Sequence, residues 1–467
     1  MKKRHKIKQQ DRTDPSYALA TTHQKLTSQC GFLVFIKVLK ALRLKQLAAA
    51  LFPKSESNRG YCNGDILTTL IMMLNEGARC LSDVRHLHIE SELLKREGID
   101  KLPGVDTLSR WLHRYGKTGI PLINQLNQTV IAITLKFRRV KEVTLDIDAT
   151  TIITDKVSAT WTYMKRKGFT MMVGTLAEVG QVIAAELRDG KVSPKTDNVG
   201  FIESCRKLLP SGTTLTRVRS DAAGYQHQVI DYLMHHGLEF LIRAAMNEAI
   251  AKQIAALPEQ AWQPLQLKDG QLSQYEWVAR CPHMMYRSNL VFFLIVQRTC
   301  KKQAAKLKKT TQSRDRKKVV ELYTDGTYEY RAIATNIKEL TDSEIVHEYN
   351  QRGEHSENRI KELKSDFAAG RPPCSDFAAN ALYVCVCALA YNVFALMRCG
   401  LPVGLRRCRA PRLRQRVFGL AAKIVRQGRQ WQLKLQHAHR NLLARVFRNL
   451  LDTIGPVLPD LKIPLLS

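Results

Sequence analysis

The chain has 467 residues, 45% of them hydrophobic and 25% charged, the balance of a globular protein long enough to divide into several domains. Its 73 Lys and Arg against 42 Asp and Glu leave a net charge of +31. That excess argues for a polyanionic partner, nucleic acid first, because Lys and Arg neutralise phosphates and release counterions. None of the eleven cysteines forms a C-x-x-C pair, and no apolar segment promptly follows the basic start MKKRHKIKQQDR; free thiols in a cytoplasmic protein are therefore expected, not the disulfides of a secreted one.

Residues 1–140 read as a helical N-terminal DNA-binding region. Leu108, Trp111, Leu112 and Tyr115 fall at i, i+3, i+4 and i+7 and so share one helix face. Asp106 is placed to cap that helix. Arg110, His113 and Arg114 point away from the apolar face, which suits DNA as well as solvent.

Residues 141–244 change to short apolar runs. Strands are expected at Val143–Ile147, Thr170–Leu176, Gln181–Leu187, Leu215–Arg219 and Leu238–Arg243, with helices at Val199–Leu209 and Tyr225–His236. Three strands, helix, strand, helix, strand is the order of an α/β fold, a mixed sheet flanked by helices.

Residues 245–335 form a β-rich insertion, with strands at Tyr275–Arg280, Leu290–Gln297 and Tyr328–Thr335 and a basic loop from Lys301 to Lys318. Trp277 in this insertion is a candidate for stacking on an extruded base, or a packing residue like Trp262.

Residues 336–400 return to helix. Phe377 to Met397 carries no charge and is long enough to span a bilayer. It holds Asn380, Asn392 and many alanines, and reads instead as a buried core helix. Residues 401–467 form a basic helical C-terminal region. Between Arg398 and Leu451 there are 14 Lys or Arg and no Asp or Glu, an interaction surface. Phe418, Leu420, Ile424 and Val425 are expected to dock a helix on the core.

Three segments carry carboxylates in a suggestive order. In VTLDIDATT the two-residue strand period sets Asp146 and Asp148 on one face, beside small residues that leave room for a metal and a phosphate. In TRVRSDAAGY a second strand ends on Asp221. In EYNQRGEHSENRIKELKSDF, Glu357 and Lys364 are seven apart and lie on nearly one helix face. Glu354 with Lys361 repeats the same step and rivals Glu357. Asp146 is a second candidate beside Asp148.

These segments, with Arg188-Asp189-Gly190, Thr335-Asn336, YNQRG and the basic C-terminal region, resemble the DDE-type transposases of bacterial insertion sequences, in particular the group marked by Tyr, Arg, Glu and Lys around the third acid. The resemblance implies an RNase H-like catalytic core interrupted by a β-rich insertion. Asp148, Asp221 and Glu357 would be the catalytic, metal-holding acids. Tyr349, Arg352 and Lys364 would grip DNA beside them. It also implies two Mg²⁺ ions, with Mn²⁺ able to substitute, and a homodimer acting on paired transposon ends and target DNA. One departure stands out. The group has three residues between Arg and Glu, whereas here Gly353, Glu354, His355 and Ser356 intervene. On a regular helix the extra residue turns Glu357 by ~100°, so either a π-bulge or a break at Gly353 is expected to restore the phase.

The chemistry implied is cut-and-paste transposition: metal-dependent cleavage at transposon ends, then strand transfer by the freed 3′-OH. Two ions ~3.5–4 Å apart clamp the attacking and leaving oxygens of such a displacement. An RNase H-like nuclease without strand transfer, or a catalytically inactive transposase descendant that only binds DNA, are the rival readings.

Overall fold

The computed structural model describes residues 20–53, 60–300, 323–324 and 327–465, with backbone alone at 323–324 and 354–356. The Lys301–Lys318 loop lies outside the described residues. After a short strand β1 (Lys25–Thr27), the N-terminal region is helical, ending in Val105–Arg138, two helical segments joined by a kink at Gly116. Leu108, Trp111, Leu112 and Tyr115 are all buried, as their spacing requires. Trp111 and Tyr115 pack on Phe52 with ring centroids 5.2 and 5.0 Å away. Gly104, not Asp106, caps this helix; Asp106 falls in its first turn, where its charge complements the helix dipole. Arg110 is exposed, with Nε donating to the Asp106 carbonyl at 3.2 Å.

The sheet begins with β2 (Glu142–Ile153), β3 (Thr160–Trp161), β4 (Lys167–Leu176), β5 (Gln181–Asp189), β6 (Thr214–Ser220) and β7 (Glu239–Arg243). On one side of β2 lie β4 and then β5, antiparallel; on the other lie β6 and then β7, parallel. That is the mixed sheet, flanked by helices, of an RNase H-like core. β2 runs six residues beyond the expected Ile147 because Asp148–Ile153 keep pairing with β4 after β6 has ended. The β-branched run Thr150–Ile153 favours that extension.

The insertion supplies β8 (Gln263–Gln266), β9 (Leu272–Met284), β10 (Val291–Cys300), β11 (Tyr323–Thr324) and β12 (Tyr328–Thr335). These do not form a separate body. β12 pairs with β7, with Ile333 opposite Arg243, so the order continues β7-β12-β10-β9-β8 and one eleven-stranded sheet results among the described residues.

The Phe377–Cys399 helix is long and apolar enough to cross a membrane, yet 94% of its most apolar stretch is buried within the protein. Its two asparagines explain how polar groups fit there. Asn392 Oδ1 accepts from the Val182 N–H at 2.8 Å, while Nδ2 donates to the Val182 carbonyl at 2.7 Å and to Asn127 at 2.7 Å. Asn380 likewise satisfies both backbone groups of Cys374. A buried polar side chain is tolerated when its bonds are all made within the fold.

The C-terminal region departs from expectation. Where a docked helix was anticipated, β13 (Ala422–Gln427) and β14 (Gln430–Lys434) form a hairpin, and β13 pairs with β1. Ala422 and Ile424 are buried while Lys423 and Val425 are less so, a two-residue period that belongs to a strand. Gly428, at φ +58°, makes the turn. The long helix of this region is His437–Ile454, later in the chain, and shorter ones precede the hairpin at Val403–Arg406 and Ala410–Leu413.

Candidate active site

The parallel register of β2 and β6 sets Asp146 opposite Arg219 and Ile147 opposite Ser220. Asp148, within β2, and Asp221, just past the last residue of β6, come next in that register, so the two carboxylates fall at one level of the paired strands. β6 stops there: Asp221 accepts from the Ala223 N–H at 3.0 Å and caps the short turn Ala222–Gly224. β2 continues, and the chains part beside the two acids. The crevice outside the carboxyl ends of strands is where open α/β sheets bind ligands.

Asp148 Oδ1 accepts from the Ala149 N–H at 2.8 Å, and its side chain is 20% exposed. Arg352, itself buried, reaches β2 where β6 stops: Nη2 donates to the Ile147 carbonyl at 2.8 Å and lies 3.7 Å from Asp148 Oδ2. Burial works against its charge. The charges of Asp148, Tyr349, Asp221 and Asp146 nevertheless hold the guanidinium above the usual arginine range. Tyr349 is buried, its ring 4.9 Å from the guanidinium of Arg243 at the end of β7. Lys364 donates to Thr150 Oγ1 at 3.1 Å and to the Thr151 carbonyl at 2.5 Å, just beyond Asp148 on β2.

Asp146 shares a face with Asp148 but serves differently. It is wholly inaccessible and accepts both arms of the Arg219 guanidinium, at 2.6 and 3.0 Å. Arg219 Nη1 also bonds the Glu348 carboxylate at 3.0 Å and its carbonyl at 2.8 Å. This network ties β2 and β6 to the Asp342–Lys361 helix and leaves Asp146 closed to a metal.

That helix starts from a capping box of Thr341 and Glu344 and runs without a break through Gly353. Neither expected device lies between Arg352 and Glu357. A π-turn does occur, but at Glu362–Asp366. Five regular steps therefore carry Glu357 ~140° around the helix from Arg352, and its side chain is exposed. The π-turn then adds its extra residue and returns Lys364 to β2. Tyr349, Arg352 and Lys364 gather beside the aspartates; among the described residues no three acidic, His or Cys side chains converge to hold a metal. Glu354 lies outside the described side chains. A divalent ion such as Mg²⁺ takes hard oxygen ligands, and the partly accessible aspartate pair fits one in donor type.

Trp277 packs inside the insertion. Its ring meets Tyr328 edge-on at 5.8 Å, and Arg298 lies over it at 5.2 Å and over Trp262 at 4.4 Å. Base stacking is not what this geometry offers. Arg219, Glu348 and Arg243 are not among the residues the sequence singles out; the only hint was an arginine at or near a strand's end in RVRSD and LIRA.

The sheet order, with the two aspartates at one level of its parallel strands, is that of an RNase H-like fold. Residues 10–456 match the model of the family described as transposase DDE domain group 1. The chain belongs to that family. No curated protein matches it. Among solved structures, a piggyBac transposase synaptic complex with hairpin DNA aligns at 9% identity over 95% of this chain and 85% of that one, with a TM-score of 0.39, too low to bear on function.

Proposed function

We propose that this transposase-family protein binds the terminal inverted repeats of a mobile element as a homodimer and carries out metal-dependent cleavage and strand transfer on that DNA in the bacterial cytoplasm. The observation that supports it is Asp148 and Asp221 at one level of neighbouring parallel strands, where β6 stops, with buried Arg352 beside Asp148. Asp148 and Asp221 would hold Mg²⁺, or Mn²⁺ in its place, with Glu357 as third acid. Bound there, the metal supplies Lewis-acid activation of the phosphodiester and its attacking oxygen. Arg352 fixes β2 beside Asp148 through the Ile147 carbonyl and presents a planar fork toward phosphate. Lys364 places a point charge beside Thr150. The likeness of Tyr349, Arg352, Glu357 and Lys364 to the Tyr-Arg-Glu-Lys group supports the placement of this chain there.

The test uses plasmid DNA carrying the sequences that flank the reading frame. Wild-type protein with Mg²⁺ is expected to cut at the repeats and join the cut ends to target DNA. Asp148→Asn and Asp221→Asn are each expected to abolish both steps while keeping DNA binding. Cutting without joining would replace the reading with a nuclease. The dispersed third acid favours, as second reading, a descendant that binds DNA without cutting it; absence of cutting by the wild type in either metal would establish that.

A further inference from the structure

We propose that the β3–β4 hairpin is a stacking wedge for DNA whose bases are unpaired near the cleavage site. The proposal rests on DNA being the substrate of the aspartate crevice. At the hairpin's tip, Trp161 is 64% exposed and Tyr163 69%, far more than such rings ordinarily show. Lys165, Arg166 and Lys167 follow, all exposed, and no acidic residue occurs between Asp155 and Glu178. Aromatic faces beside a run of cations complement bases and phosphates together.

The tip is held firmly. The Thr162 N–H donates to the Arg166 carbonyl and the Lys165 N–H to the Thr162 carbonyl, both at 2.9 Å. The Thr160 hydroxyl donates to the Asp189 carboxylate, and Lys156 Nζ to the Pro373 carbonyl at 2.9 Å. Backbones close in beneath it: a Cβ on Gly168 would lie 2.1 Å from the Ile152 carbonyl, and one on Gly190 would lie 2.3 Å from the Gly168 carbonyl. Rings on so fixed a base lose little freedom when a ligand stacks on them.

Its place follows from β2. Ile153 pairs with Gly168 at the hairpin's foot, five residues beyond Asp148, or about 17 Å at strand rise. That is roughly five nucleotide steps. DNA entering the crevice would meet the wedge close to the phosphate being cut.

The full-length protein, in EDTA, would be titrated onto a fluorescent paired duplex and onto the same duplex opened by central mismatches. The wild type is expected to prefer the opened duplex. Trp161→Ala is expected to lose that preference by roughly tenfold while binding the paired duplex as before, and Trp161→Phe to keep it. No preference in the wild type, or equal loss on both probes, would overturn the proposal. Wild-type binding to phosphatidylserine vesicles that Trp161→Ala loses would reassign the hairpin to a membrane. Failure to bind either DNA would instead count against the transposase reading itself.

Discussion

Arg219 and Asp146 form a two-armed ion pair with bonds of 2.6 and 3.0 Å, their side chains 2% and 0% exposed. Removing one partner strands the other charge, which costs about 3–5 kcal/mol. Asp146→Asn is therefore expected to lower the thermal unfolding midpoint, with activity falling in step with the folded fraction. Asp148→Asn, at a partly exposed carboxylate, should lose cutting with little change in stability. Comparing melting curves with cleavage rates checks this; equal melting of the two variants would remove the distinction between the aspartates.

Arg352 acts through a fork, with one nitrogen on the Ile147 carbonyl and near Asp148. A lysine keeps the charge but not the geometry. Arg352→Lys is expected to cut roughly 100-fold more slowly, the loss seen when one fixed donor is removed from a reacting site, with DNA affinity nearly unchanged. Single-turnover cleavage beside a binding titration makes the measurement.

Glu357 carries the prediction with most at stake. If the Asp342–Lys361 helix turns when DNA and metal bind, Glu357→Gln is expected to cut at least 100-fold more slowly and Glu354→Gln at the wild-type rate. The opposite pattern would move the third acid to Glu354.

Far from the crevice, Glu76 has its pKa raised from 4.5 to about 8, by burial first and by the charge of Glu90 second, against the pull of Arg414. Between those values the folded chain holds a proton that the unfolded chain has released. Stability from this group is thus full below about pH 4.5 and is lost as the pH rises toward 8. Glu76→Gln should be more stable than the wild type at pH 8, by ~1–3 kcal/mol, with the gap closing by pH 5. Denaturant midpoints at the two pH values test it.

Asn392 satisfies both backbone groups of Val182. Asn392→Leu would leave the Val182 N–H and Asn127 Oδ1 without the partners they have here, at ~1–3 kcal/mol each, while the Val182 carbonyl keeps its bond from Asn127 Nδ2. A melting curve is expected to show that loss, with any surviving folded protein cutting normally.

Much of this site was legible because strand ends announce themselves. LDIDAT and RSDAAG each pair an alternating run with small residues, a pattern that set Asp221 just past a strand; it set Asp148 at a strand end too, whereas β2 runs on to Ile153. What escaped depended on distant partners. Nothing local in RVRSD shows that Arg219 turns inward to Asp146, since a strand arginine is as well suited to solvent. Periodicity likewise located the Asp342–Lys361 helix but not its π-turn, which relieves an extra residue five positions after Glu357. The tail misled for a similar reason. Its interleaved Phe418, Leu420, Ile424 and Val425 suited a helix docked on the core, while the two-residue burial period of β13 emerges only against β1. Arg243 gave no signal of its own beyond ending a strand.

The pairing of β1 with β13 joins Lys25 to Ile424, nearly four hundred residues apart along the chain. Contacts that span such sequence separations form late, because the loop between them must close first. During synthesis β1 emerges early and waits for β13 until most of the chain has followed. A shortened protein ending after Lys364 would contain every residue of the crevice and still lack that closing seam, so the N-terminal strand depends on a partner made long after the acids themselves.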